Sequence, residues 1–227
     1  KPGIGAPVAD PQVAAVAVVL IALVAGLLSM ALLPGRDPLA LDEKGRMFYV
    51  YGAQAVSGLL FAHLYVCRPM WFDTVLRPYW PYILLGLAFA GVAAAELFQR
   101  AKIRVLAEPF RNTGGLLPLI PALAMLVVPA EHAPKADYEL VLFLAGLMYL
   151  LLCIAHRSIL YGAAAAVAGN AALWVLMEHR GIHFTDHPQF WLIPPAVAVL
   201  LAAQLNRARL TTEQLTATRY FATIIIY

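Results

Sequence analysis

The stretch Gln12–Leu33, QVAAVAVVLIALVAGLLSMALL, decides the fold. It carries no charge, and Gln12 and Ser29 are its only polar side chains. At about 1.5 Å of rise per residue, a helix of this length reaches roughly 33 Å, enough to cross a hydrocarbon core about 30 Å thick. No water reaches the backbone at that depth, so the N–H and C=O groups must satisfy one another, which a helix does within a single segment. The run ends at Pro34-Gly35, where a helix stops.

Six further stretches repeat the pattern: Met47–Val66, Tyr82–Phe98, Gly115–Pro129, Tyr138–Ala155, Ser158–Met177 and Gln189–Leu205. The fourth of the seven is short and holds Pro118, Pro121 and Pro129, so it reads as a kinked span or a re-entrant segment. Composition agrees with all of this. Of 227 residues, 62% are apolar and 13% charged, against about 45–50% and about 25% in a soluble domain, and the mean hydropathy is +0.76. The expected fold is therefore all-α, a polytopic transmembrane bundle of seven spans. Lys1–Pro11 reads as a Gly/Pro-rich linker, and residues 206–227, ending in Ile224-Ile225-Ile226-Tyr227, as a connection and the start of an eighth span, so the chain reads as part of a longer one.

Basic residues fix the expected orientation, since Lys and Arg concentrate in cytoplasmic connections. Seven crossings put Lys1, Arg68, Arg77, Lys135 and Arg180 on one side, five in all, and the other eleven of the 16 Lys and Arg on the opposite side. The N-terminus is then outside a plasma or inner membrane. Trp71, Phe72, Tyr79, Trp80 and Tyr82, with Phe190 and Trp191, fall where an aromatic belt would lie, and Pro69–Pro81 reads as a segment along the outer surface. Glu96–Arg111 mixes apolar and basic residues, as an interfacial helix or a plain basic connection would.

Helices in lipid associate through close backbone approach at small residues and through a few hydrogen bonds. Gly86, Ala90 and Ala94 in the third span, and Gly162, Ala166 and Gly169 in the sixth, are the expected packing positions. Ionisable or polar groups at membrane depth are the first candidates for function. Gln54, Ser57 and His63 lie near one face of the second span and Asn170 lies mid-way along the sixth; they suit interhelical hydrogen bonds or contact with a ligand.

A second candidate group is Glu178-His179, His183 and Asp186-His187, with His132 in the neighbouring outer connection. Imidazole and carboxylate ligate divalent metals, and His179, His183 and His187 would share a helical face, although Gly181 and Pro188 interrupt the segment and no zinc-enzyme spacing matches. Beyond that metal, no cofactor is expected. All four lysines lie outside the spans, which excludes a retinal Schiff base, and the scattered basic residues give no nucleic-acid patch. The reading that results is a non-catalytic membrane subunit or anchoring domain, with the bilayer and other membrane subunits, or further parts of the same chain, as partners. A carrier or channel for a neutral or lipid-like molecule and a seven-helix sensor are the alternatives, and a metalloenzyme built on the outer histidines is a fourth class.

Overall fold

The computed structural model describes residues 11–33, 35, 37–67, 72–127, 136–205 and 211–226, all of them helical or in connections with no strand. Five helices are long and apolar enough to cross a membrane. The chain divides into two compact units, Lys1–Leu117 and Pro118–Tyr227.

The first unit begins with α1 (Pro11–Leu32) and α2 (Glu43–Cys67). They run antiparallel: His63 near the end of α2 lies by Val13 at the start of α1, and Arg46 near the start of α2 lies by Ala31 at the end of α1. A π-helical turn, Phe72–Leu76, leads directly into α3 (Arg77–Arg100). The segment expected along the outer surface is thus helical from Phe72 onward, and its last residues, Pro78–Pro81, belong to the span-length helix. Phe72 is buried, with the rings of Phe61 and Tyr65 edge-on against it at 5.0 and 5.3 Å. The helix starts before Tyr82 because Pro78 and Pro81 sit in its first turns, where the missing N–H leaves few bonds unmade. Trp71 lies outside the described residues.

Glu96–Arg111 is not one interfacial helix either. Its first residues end α3, and α4 (Arg104–Leu116) turns back along α3. Phe98 meets Phe110 at a centroid distance of 5.6 Å, and Gly91 lies against Gly114. The amphipathic α4 buries Val105, Leu106, Ala107, Pro109, Gly114 and Gly115. Val105 and Leu106 join Ala31 and Val50 in a small core flanked by Leu28, Tyr49, Phe98 and Phe110. The turn between α3 and α4 closes in a Schellman motif: Lys102 N–H donates to Gln99 O (3.1 Å) and Ile103 N–H to Phe98 O (2.9 Å). Lys102 holds the left-handed position at φ 61, where glycine is usual and a side chain costs about 1–2 kcal/mol.

Gly115–Pro129 does not form one span-length helix. α4 ends at Leu116, Pro118 follows, and α5 (Leu119–Val127) has nine residues, a rise of roughly 14 Å. Pro118 cannot donate the bond that would continue the helix; Pro129 lies outside the described residues.

In the second unit, α6 (Tyr138–His156) and α7 (Ile159–His179) form the expected hairpin. Arg157, at φ 49, caps α6 and turns the chain. A Cβ built on Gly146 of α6 would stand 3.2 Å from the Gly169 nitrogen and 3.4 Å from the Ala165 oxygen, so the backbones touch there. α8 (Pro188–Leu205), an apolar helix shorter than those five, and α9 (Thr212–Ile226) complete the unit, linked by a 3.5 Å bond from Arg219 to Gln204.

Candidate functional site

Polar side chains within the apolar helices are the places where chemistry or recognition would be found. On α2 most of them bond to neighbouring helices. Thr113 Oγ1 of α4 donates to Gln54 Oε1 at 2.7 Å, and one turn earlier on α2 Asn112 Nδ2 donates to the Tyr51 hydroxyl at 2.9 Å. Two rungs, at Gln54 and Tyr51, thus join α2 to α4. His63 Nε2 lies 3.4 Å from the Val13 carbonyl of α1. Donation from Nε2 leaves Nδ1 as the acceptor, which suits the Cys67 thiol 3.8 Å away. Ser57 Oγ donates to Ala53 O in its own helix at 2.8 Å.

The connection between α1 and α2 holds a polar network. Asp37 accepts from the Tyr49 hydroxyl (2.6 Å) and from the N–H groups of Leu39 (2.9 Å) and Leu41 (2.7 Å). Arg46 Nη1 donates to Ala31 O (3.0 Å), a carbonyl at the electronegative end of α1. The Tyr49 hydrogen bond pulls the Asp37 carboxyl below its ordinary value of 3.8; desolvation opposes this, while the two N–H groups and the Arg46 charge reinforce it. A depressed carboxylate stabilises the fold above its unfolded pKa, and that contribution fades as pH falls through the folded one. The melting-temperature gap between the wild type and Asp37→Asn in detergent should hold steady from neutral pH to about pH 5 and close well below pH 4. Equal melting temperatures at pH 7 would show that the carboxylate holds nothing together.

In the second unit, Asn170 Nδ2 donates to Ala166 O one turn back at 2.7 Å. The histidine group does not converge. His179 Nδ1 is 3.2 Å from Glu139 Oε2, which joins the last turn of α7 to the first turn of α6. His183 pairs with Glu178 at 3.3 Å, and the His187 ring lies against Phe190 at 5.7 Å. Among the described residues no three His, Cys, Asp or Glu side chains gather around a point that would hold an ion; His132 lies outside them. The shared face fails because α7 stops at His179 and Gly181 takes φ 72. Trp174 Nε1 donates to Trp191 O (3.0 Å) and Trp191 Nε1 to Ile182 O (3.1 Å), the two indoles stacked at 6.2 Å. A groove of about 300 Å³ runs between α6 and α7, lined by Leu140, Phe143, Gly169, Ala172, Leu173 and Leu176 with Glu139.

The expected packing positions divide in two. The Gly169 backbone lies at the α6–α7 contact, with Ala165 and Ala168 rather than Ala166 beside it, and a Cβ on Gly162 would meet Cys153 Sγ at 3.1 Å; Ala166 is half-buried. On α3 the buried positions are Pro81, Leu85, Ala88 and Ala95, whereas Gly86 and Ala90 are exposed and a Cβ on Gly86 would meet nothing within 4 Å. Ala94 is half-buried. Tyr51, Asn112 and Thr113 escaped the sequence reading. The signal for the last two was Asn-Thr placed directly before Gly114-Gly115, hydrogen-bonding groups beside a site of close backbone approach. No protein-family model, curated protein or solved structure matches the chain.

Proposed function

We propose that this chain is a multi-pass, non-catalytic membrane subunit or anchoring domain. One observation carries the reading: polar side chains at membrane depth serve the fold, with Gln54 bonded to Thr113, His63 set against Val13, and Ser57 and Asn170 bonded to their own helices. A ligand site at membrane depth would need such groups turned toward a cavity. Seven crossings, the fourth made by a broken helix, would divide the basic residues five to eleven, which favours residues 1–11 outside the membrane. Further support comes from α1, in which Ala31 alone is buried while Val18 and Val19 are 63% and 65% exposed. That face meets lipid tails or the helices of another subunit.

The reading is tested with the tagged chain expressed in its own membranes and extracted in mild detergent. A discrete complex larger than the chain in its micelle is expected on native electrophoresis, its amount falling when the copurifying subunit is deleted. A solitary chain that speeds passage of a neutral solute into liposomes, with the flux abolished by Gln54→Leu, would establish the carrier instead.

A further inference from the structure

We propose that the turn joining α3 to α4 is a docking site for anionic phospholipid headgroups; the inference rests on the membrane-spanning reading of α3. Arg100 is the last residue of α3, Lys102 and Ile103 form the turn, and Arg104 opens α4. All four are exposed. Arg111, further along α4, is level with Gly91 of α3 and stands apart from the turn; the carboxylates of Glu96 and Glu108 flank the turn in sequence. The ion pairs His179–Glu139 and His183–Glu178 involve none of these cations.

Three features select the occupant. An apolar span that ends at Arg100 brings the turn to the depth where hydrocarbon gives way to phosphates. Ile103, 37% exposed between two cations, and Leu97, 65% exposed one turn before, present apolar surface beside the charge, which suits an amphiphile better than a free anion. Lys102 keeps a charged side chain at a left-handed position where glycine would be unstrained. The tight turn gathers three exposed cations within residues 100–104 at the end of the span, where juxtamembrane basic residues attract anionic lipid.

The test uses the full chain in nanodiscs of phosphatidylcholine with a minority of phosphatidylglycerol, and native mass spectrometry to count retained lipids. Preferential retention of phosphatidylglycerol is expected, reduced about fivefold by each neutralised cation. Lys102→Gly is the decisive variant, because it removes the charge and relieves the backbone: retention should fall while the melting temperature holds or rises. Exchanging both Arg100→Lys and Arg104→Lys should preserve retention. Equal retention of both lipids by the wild type, unchanged retention in Lys102→Gly, or the same loss from the distant Arg180→Gln would overturn the site. Failure of the chain to enter discs at all would instead overturn the membrane reading.

Discussion

Gly114→Leu is expected to be the most damaging single change in the first unit, costing about 3 kcal/mol. A Cβ at Gly114 would stand 3.0 Å from the Ala88 oxygen, 3.1 Å from the Val92 nitrogen and 3.1 Å from Val92 Cγ2. Two of those three atoms are backbone, so the neighbour cannot yield by changing rotamer, and α4 must move off α3. That movement strains the Thr113–Gln54 and Asn112–Tyr51 bonds one and two residues away. Gly86→Leu on α3 should change stability by less than about 0.5 kcal/mol, since it projects into open space. Unfolding in mixed micelles followed by circular dichroism measures both. Comparable losses in the two variants would mean that close approach at Gly114 is not what holds this pair.

Gly146→Leu is the corresponding change in the second unit, with an expected loss of about 2–3 kcal/mol. Its Cβ would stand 3.2 Å from Gly169 N, 3.4 Å from Ala165 O and 3.6 Å from Ala168 Cβ, all rigid parts of α7. The effect is directional. A Cβ on Gly169, at the same crossing, would meet nothing within 4 Å, so Gly169→Ala should be tolerated. Gly162→Ala should fall between them, because the atom it meets, Cys153 Sγ, lies at the end of a side chain. If Gly169→Ala proved as harmful as Gly146→Leu, the helices would have to cross in a different rotation.

The long apolar helices were legible in the sequence because lipid imposes length and composition directly on each one. Their rotation was not. Ala-rich α3 offers small residues at several four-residue registers, and which register is buried depends on Gly114, in a segment whose charges read as interfacial. The direction taken by Glu96–Arg111 was hidden for a related reason: its apolar stripe fits a helix lying on lipid as well as one lying on α3. For Gln54 the residue type pointed to an interhelical bond, but the partner, Thr113, is a small polar residue with no distinctive spacing. His63 faces the carbonyl of Val13, and a backbone acceptor leaves no trace in residue identity. The helical face expected for His179, His183 and His187 does not form because that spacing presupposes a continuous helix, and α7 ends at its first member.

The grip of Arg46 on the Ala31 carbonyl, together with Tyr49 on Asp37, makes the link between the first two helices redundant. A protease cut after Leu39 would sever the covalent thread but leave the guanidinium clasp, the His63 contact and the shared packing in place. The two pieces should then migrate as a single particle in mild detergent, and each could be made separately and reassembled. In the cell the same property would let a newly made first helix wait in the membrane until the second arrives to claim it.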